Sequence, residues 1–548
     1  MQSYREYFEA EMRSLQDLAQ EFAEAYPEQA SMLNLNTVKD RDPYVERLLE
    51  GMAFLTSQIR HRLDDSIPEI SQALLEQVMP ALIRPYPSNT VVEYLSSVQQ
   101  KHPVTMYPVR ISHLGNHEKL GGGSVIEITL SRNEQVNWVD IGMSFLKFYA
   151  NTDWQLAYSL IHALTDVGAN ISISIPGRLT AISQSGHAFK LTHLNPQDSM
   201  LPYTGRSRSA FSVMHDYFCA REKYLFVELT GLENVALPDT AEQITIRIDT
   251  PVSLPVDTQL SVNHLKLNCT PAVNLYRDDA EPISVDHTRS EYRVNPERQC
   301  AEYSSIYSVE VVNSRDQNTG ETYDYSPLYA MRHRKQNDRV FFASQRVAGL
   351  DNRITYLALN ATPPFHPETV SAEVLLTNNQ YPRRYVDIGS INILNGPISN
   401  RVGVKNITRP SKTLTPPAYQ DLQWQLISLL SLNLNSLESV ENIKHLLSLF
   451  DWTDQVENRQ KIDALSGIKT RTTHRLKRGV LFQGLEIRVE LNESGFSSKS
   501  DMYLFGVVIH HFFSAFASMT EFVQTRVVQL PSYKEWAWNP VFGSKTLF

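Results

Sequence analysis

Apolar residues in the first eighty positions of the chain recur at the helical period. Three helices are predicted, over 4–25, 42–63 and 66–79, because apolar side chains follow one another at intervals of three and four residues. Pro27 and Pro80 end the first and third of these segments, since proline lacks the amide that a helix interior needs. The start of the chain is therefore expected to be helical.

Beyond Ser88 the apolar residues recur at every second position and no longer at the helical period of 3.6. Isoleucine and leucine alternate with polar residues over 126–130, 171–175 and 244–248, a pattern typical of half-buried strands. A helix-like segment, 154–167, lies among them. From 251 to 417 the predicted strands are short, rich in tyrosine and separated by Pro, Asn and Asp, which favours a β-sandwich or a β-rich α+β region.

The last part of the chain mixes both periods. Thr415-Pro416-Pro417 marks a boundary, after which 422–433 and 440–450 are predicted to be helical. Residues 485–491 alternate as a strand, and the apolar segment 503–519 is predicted to be a buried helix. This combination predicts a small α/β or α+β unit.

These patterns predict a multidomain α+β fold with an N-terminal helical segment, β-rich middle domains and a small C-terminal α/β unit. The 548 residues exceed what one hydrophobic core usually organises. We predict four parts: a helical assembly segment over 1–88, a β-rich α+β domain over 89–265, a β-rich domain over 266–416 and an α/β domain over 417–548.

Composition and charge limit the cellular location and the classes of binding partner that are expected. The formal charge is −9, and an acidic surface repels nucleic-acid phosphate and anionic lipid headgroups, so neither is an expected partner. Charged residues interrupt the first twenty positions, where a secretory signal would be apolar. The longest apolar stretch, 504–519, is shorter than the ~20 residues of a membrane span. Three scattered cysteines give no disulfide framework, and the predicted location is the cytoplasm.

A search for catalytic and metal-binding motifs yields weak candidates. His113, His117 and Glu118 would suit zinc on a helix, but Gly115 and the glycines 121–123 argue against a helix, and the order differs from H-E-x-x-H. We expect a solvent-exposed loop there. The adjacent His510 and His511 point apart on a helix, which favours a core or rim position. No nucleophile elbow or phosphate loop is present in the sequence, so an enzyme is not expected, nor is a cofactor.

Two further segments leave alternatives open. The run 469–478 holds five basic residues in ten, which suits an exposed loop, an acidic protein partner or a phosphate-binding surface. A group of tyrosines in the middle of the chain prompts a second hypothesis, a carbohydrate- or peptide-binding β module. These tyrosines are Tyr292, Tyr303, Tyr307, Tyr323, Tyr325 and Tyr329. A metal-dependent hydrolase using His113, His117 and Glu118 is a third hypothesis.

Several short stretches in the same order along the chain carry a family resemblance. They are 21–27 (EFAEAYP), 42–51 (DPYVERLLEG), 85–88 (PYPS), 148–153 (FYANTD), 267–276 (LNCTPAVNLY), 280–283 (AEPI), 424–426 (WQL) and 504–506 (LFG). Each piece alone is weak, but the ordered set spans nearly the whole chain. By this set the chain resembles the TssF family of type VI secretion baseplate proteins.

The resemblance implies a mechanical role without catalysis. In that family two TssF copies hold one TssG, TssK and TssE attach to the resulting wedge, and six wedges close around the VgrG spike. The ring nucleates the contractile tail and docks on the membrane complex, so contact with the inner membrane is indirect. The implied partners are therefore TssG, TssK, TssE, the VgrG spike and a second copy of the chain.

The first helix is the predicted partner interface. It carries large apolar and aromatic side chains of the types that dominate interface energetics, ahead of any domain able to bury them fully. These residues are Tyr4, Tyr7, Phe8, Leu15, Leu18 and Phe22. The alternative is that this stripe packs on the second and third helices of the same chain. Hinges near 85–87 and 415–417 would let two copies adopt different positions.

Overall fold

The computed structural model describes most of the chain beyond residue 78. The described residues are 12, 47, 50–56, 74–76, 78–95, 106–132, 136–141, 143–175, 182–184, 189–195, 198–202, 209–234, 241–297, 303–328, 339–347, 353–360, 366–395, 402–417, 422–430, 439–477, 479–517 and 521–543. The chain forms two compact units, one of Met1–Val78 with Ala418–Ser431, the other of Met79–Pro417 with Leu432–Phe548. The finer division into four domains stays a prediction.

In the first third of the larger unit, the described residues form nine strands and three α-helices. The strands are β1 (Asn89–Leu95), β2 (Val109–Glu118), β3 (Ser124–Arg132), β4 (Phe145–Ala150), β5 (Asn170–Ser174), β6 (Ile182–Gln184), β7 (Phe189–Leu191), β8 (Phe226–Thr230) and β9 (Gln243–Thr250). The helices are α1 (Trp138–Ile141), α2 (Trp154–Thr165) and α3 (Ser209–Cys219). The Asp153 side chain caps α2 by accepting the Leu156 amide at 3.1 Å.

In the middle of the chain, the regular structure of the described residues is almost entirely β-strand. The strands are β10 (Leu265–Leu267), β11 (Cys269–Val273), β12 (Tyr276–Asp279), β13 (Ile283–Val285), β14 (Tyr292–Val294), β15 (Ser305–Asp316), β16 (Thr322–Pro327), β17 (Val340–Val347), β18 (Arg353–Asn360), β19 (Glu368–Thr377) and β20 (Gly403–Asn406). One short helix, α4 (Tyr381–Tyr385), follows β19.

The remaining elements alternate between helix and strand. The helices are α5 (Leu422–Leu430), which belongs to the smaller unit, α6 (Val440–Phe450), α7 (Val456–Asp463) and α8 (Lys499–Ser514). The strands are β21 (Leu465–Lys477), β22 (Val480–Asn492), β23 (Glu521–Leu530), β24 (Glu535–Ala537) and β25 (Val541–Phe542).

Five sheets organise these strands. Two of them combine strands from the first third and the middle, in the orders β11-β1-β20 and β10-β4-β8-β7. A five-stranded sheet runs β2-β3-β9-β5-β6, and an eight-stranded one runs β12-β19-β15-β16-β17-β18-β14 with β13 beside β19. The last sheet runs β21-β22-β23-β24, and its β22 and β23 are parallel because α8 connects them.

The three predicted isoleucine strands lie side by side in one sheet. Ile126 and Ile128 of β3 face Ile248 and Ile246 of β9, and the same two residues of β9 face Ile171 and Ile173 of β5. All six isoleucine side chains are completely buried. The alternation in the sequence therefore predicted these strands correctly, and their buried faces meet across the sheet.

The predicted fold class is confirmed. Helix α6 has the predicted bounds, whereas α8 begins at Lys499 instead of 503, because the Ser498 hydroxyl caps it by accepting the Asp501 amide at 3.1 Å. Among the described residues no helix combines the length and apolarity that a membrane crossing requires.

Candidate protein-interaction surfaces

The histidines proposed for zinc lie on a strand. His113, His117 and Glu118 belong to β2, and all three side chains are exposed. The expected loop is wrong, because Val109–Glu118 pairs with β3 along nearly its whole length and the glycines 121–123 form the turn that joins the two strands. Four residues of strand separate two side chains by about 13 Å, too far to share an ion. Within the described part of the chain, no group of three or more His, Cys, Asp or Glu could hold a metal.

His510 and His511 line a cavity of about 650 Å³ together with His193. Burial lowers the pKa of His193 to about 3, and burial followed by the neighbouring His511 lowers that of His510 to about 3. Burial also lowers the pKa of His511 to about 4. These imidazoles are neutral near pH 7. His510 is a core residue within 3.1 Å of the Thr525 hydroxyl, as the sequence favoured.

Three of the six singled-out tyrosines fill cores. Tyr292, Tyr307 and Tyr325 are buried, the first and last in the apolar core of the eight-stranded sheet. Tyr323 is half-buried and Tyr303 is 40% exposed, while Tyr329 lies outside the described residues. The buried members cannot form a groove surface, which removes the support for a carbohydrate- or peptide-binding module built on this set.

The predicted N-terminal interface cannot be placed. All six of its residues lie outside the described part of the chain; they are Tyr4, Tyr7, Phe8, Leu15, Leu18 and Phe22. The stripe therefore stays a prediction.

The basic run forms most of β21, an edge strand. The loop interpretation is wrong, because this segment pairs with β22 from Leu465 to Lys477. Threonines occupy positions 470, 472 and 473 of this run, and this β-branched content is a signal that could have indicated a strand. Glutamates of β22 partly neutralise its charge: Lys469 lies 3.4 Å from Glu490 and Arg471 lies 3.6 Å from Glu486.

Two buried ion pairs stiffen the larger unit. Lys223 lies 2.5 Å from Asp216, which also accepts the Tyr86 hydroxyl at 2.9 Å. Lys461 lies 2.5 Å from Asp501, and both are almost fully buried. Burial, followed by the nearby charge of Arg221, lowers the pKa of Lys461 to about 8. The Lys461–Asp501 pair and the Tyr86–Asp216 hydrogen bond join residues 40 and 130 positions apart in sequence, which suits a rigid body.

Exposed aromatic and aliphatic side chains form a surface around α4 that the sequence patterns did not predict. We call it the aromatic patch and define it as Tyr303, Tyr381, Tyr385, Ile388 and Ile393, which are 40%, 46%, 67%, 64% and 77% exposed. The ring centroids of Tyr303 and Tyr381 are 5.7 Å apart, and those of Tyr381 and Tyr385 are 4.5 Å apart. Two tyrosines four residues apart on one helical turn share a face, and this spacing was the signal that could have revealed the patch.

Polar contacts beneath the aromatic patch hold its backbone in place. The buried Asn406 side chain accepts the Ile391 amide at 3.0 Å and donates to the Asp387 carbonyl at 3.0 Å. The Gln380 side chain donates to the Thr413 carbonyl at 2.7 Å. The loop after α4 is thereby fastened to the segment that follows it, while its apolar side chains remain in solvent.

A cavity of about 470 Å³ adjoins the aromatic patch. Tyr303 and Tyr381 line both the cavity and the patch, and Val273, Pro382 and Val386 supply apolar walls. A concave, mostly apolar surface beside exposed rings is a suitable receptor for an apolar side chain of another protein.

Comparison with known proteins identifies the family. The family model described as "Type VI secretion system, TssF" matches residues 1–110 and 99–545. The "Type VI secretion system component TssF1" of Pseudomonas aeruginosa is 24% identical over an alignment of 598 positions, which covers 95% of each chain.

Solved structures agree with this result. A chain in the cryo-electron microscopy structure of the type VI secretion system TssK-TssF-TssG baseplate subcomplex matches with a TM-score of 0.75 and 26% identity, covering 90% of this chain and 98% of that one. A chain in the baseplate complex from the type VI secretion system matches in fold with a TM-score of 0.56, 24% identity and coverage of 98% and 99%. Since the family model spans nearly all of the sequence, the chain belongs to the TssF family of the type VI secretion system.

Proposed function

We propose that the chain is a structural, non-enzymatic subunit of the type VI secretion baseplate. Two copies hold one TssG to form a wedge to which TssK and TssE attach, and the wedges assemble around the VgrG spike to nucleate the contractile tail. The assembly works in the cytoplasm and docks at the inner face of the inner membrane through the membrane complex. The chain needs no cofactor for this role.

One observation carries the proposal. The fold matches a chain of the TssK-TssF-TssG baseplate subcomplex over 90% of its length with a TM-score of 0.75. A match of this extent includes both the β-rich middle and the C-terminal elements, so it supports the same role for the whole chain and not only for one module. The buried ion pairs and the large sheets suit a subunit that transmits force.

Co-expression with TssG tests the proposal. The tagged chain is purified together with TssG, and native mass spectrometry gives the mass of the complex. We expect a species with two copies of the chain for each TssG. A chain that elutes without TssG at both low and moderate salt contradicts the scaffold role, and a complex of another ratio contradicts the two-copy arrangement.

The predicted stripe on the first helix is proposed as the contact with TssG. Deleting residues 1–26 is expected to abolish co-purification with TssG, because the deletion removes all six proposed interface side chains. The near-ultraviolet circular dichroism of the truncated chain serves as the control for folding. TssG that still co-purifies with the truncated chain would rule out this contact.

A further inference from the structure

The aromatic patch exposes large apolar side chains that the fold itself does not use. Tyr385, Ile388 and Ile393 are each more than three-fifths exposed, although burying such side chains in a core would stabilise the protein. Soluble proteins rarely leave several large apolar groups together in solvent without an interaction role. Exposed aromatics beside an apolar cavity are the anchors that dominate binding energy at protein interfaces.

The backbone of this surface is already fixed in the free chain. Asn406 fastens the loop after α4 at Asp387 and Ile391, and Gln380 fastens α4 itself to Thr413. A partner therefore meets a preformed surface and does not have to order the loop, which reduces the entropic cost of binding.

The charge around the patch specifies the partner. Among the described residues of the segment 378–417, five are basic and a single one, Asp387, is acidic. Lys405 is one of the five and pairs with Glu93 at 3.2 Å, so the other four supply the positive charge. Arg384 and Lys412 are exposed, and neither forms an ion pair with a described residue. A basic rim around an apolar centre complements an acidic segment with apolar anchors.

We propose that the aromatic patch and its cavity dock an acidic segment of TssG that carries apolar side chains. This inference rests on the proposed function, which pairs the chain directly with TssG. One apolar side chain of the segment fills the cavity between Tyr303 and Pro382, others lie on Tyr381 and Tyr385, and carboxylates face Arg384 and Lys412. The contact is separate from the one proposed for residues 4–22.

A polynucleotide could also use tyrosine rings and arginine, since bases stack on aromatic side chains. The aliphatic part of the surface favours protein, because Val386, Ile388 and Ile393 offer no plane on which a base could stack.

The test compares variants of the full-length chain for binding to purified TssG. Tyr381→Ser combined with Tyr385→Ser removes the rings, and Arg384→Glu reverses one charge of the rim. We expect each variant to raise Kd at least about tenfold. The effect of Arg384→Glu is expected to shrink at high salt, because screening weakens exposed charges. Leu120→Ser is the matched control, since Leu120 is fully exposed on the turn between β2 and β3 and its replacement should leave Kd unchanged.

Cross-linking locates the occupant. A photoreactive phenylalanine replaces Ile388 in the co-expressed complex, and mass spectrometry identifies the attached peptide. An acidic TssG peptide with apolar residues supports the inference. Attachment to TssK, to a second copy of the chain or to nucleic acid overturns it.

The two proposals fail in different ways. If the unmodified chain does not bind TssG, the proposed function fails. If it binds TssG and the tyrosine and arginine variants bind equally well, only the docking surface is wrong.

Discussion

At the scale of single residues, buried histidines make the stability of the larger unit depend on pH. Burial lowers the pKa of His215 to about 4 from 6.5, although the adjacent Asp216 acts in the opposite direction. Between these values the unfolded chain binds a proton that the folded chain excludes, so stability is complete above pH 6.5 and is lost as the pH falls toward 4. His193, His510 and His511 are displaced in the same direction.

Replacing His215 by phenylalanine tests this linkage. Neither ring nitrogen of His215 has a hydrogen-bond partner among the described residues, and the ring packs edge-on against Tyr86 and Trp452. We expect His215→Phe to reduce the loss of unfolding free energy between pH 7.5 and pH 5 by about 2 kcal/mol. Urea unfolding at both pH values measures the difference. His474→Gln is the control, since His474 is exposed on β21; an equal change in both variants would contradict the assignment to burial.

The buried pair of Lys461 and Asp501 is the second residue-scale prediction. Lys461→Met leaves the Asp501 carboxylate buried without its cation, which is expected to reduce the free energy of unfolding by about 3–5 kcal/mol. Lys469→Met, which breaks an exposed pair with Glu490, should cost below about 1 kcal/mol. Urea unfolding measures the free energy of unfolding of the two variants. Similar losses in both would mean that burial of the Lys461–Asp501 pair is not the cause of the destabilisation.

At the scale of elements, the turn between β2 and β3 depends on its glycines for two different reasons. Gly122 and Gly123 both have a positive φ, of 99° and 91°, which strains any other residue. A Cβ at Gly122 would meet open space, whereas one at Gly123 would lie 2.5 Å from the Thr250 carbonyl oxygen. The close approach at Gly123 lets β3 pair directly with β9.

Alanine at each glycine separates strain from contact. We expect Gly122→Ala to cost about 1–2 kcal/mol through backbone strain alone. Gly123→Ala should cost more, because the strand ends must also move apart. Thermal unfolding of the two variants provides the comparison, and equal melting temperatures would show that the contact with Thr250 is unimportant.

Local patterns predicted elements where side-chain period and burial agree. The isoleucines of β3, β5 and β9 alternate and are buried on one face, and α6 has the helical period together with a Ser439 cap. The hydrophobic pattern did not predict β2 and β21, because these segments are strands through their pairing with a neighbouring strand. At least half of the described residues in each strand are exposed, so no hydrophobic alternation marks these strands, and their hydrogen bonds come from β3 and β22.

At the scale of the whole molecule, the division into two units predicts that the larger one folds without the first 78 residues. A chain beginning at Met79 is expected to keep the near-ultraviolet circular dichroism of the buried aromatic residues. Size-exclusion chromatography should show a soluble species. Loss of the aromatic signal would contradict independent folding of this unit.

The structure also joins parts of the larger unit that the predicted boundaries separate. Strand β1 pairs with β11 on one side and with β20 on the other, although β20 lies about three hundred residues later. Tyr86, which lies between Pro85 and Pro87, and Leu414, which precedes Thr415-Pro416-Pro417, exchange backbone hydrogen bonds of 2.7 Å and 2.9 Å. Proline marks where an element ends, but it does not say whether the next segments diverge or lie together.

The sequence by itself determined the fold class, several elements and the family, because periodicity and short motifs are local properties of the chain. Tertiary structure decided which strands are neighbours and where the basic run lies. It also distinguished the tyrosines of the core from those of the surface. Two tyrosines illustrate the reason. Tyr292 in a core is 7% exposed, whereas Tyr381 in the aromatic patch is 46% exposed, although the residue type is the same. Burial depends on segments brought together from distant parts of the chain, and no local pattern contains that information.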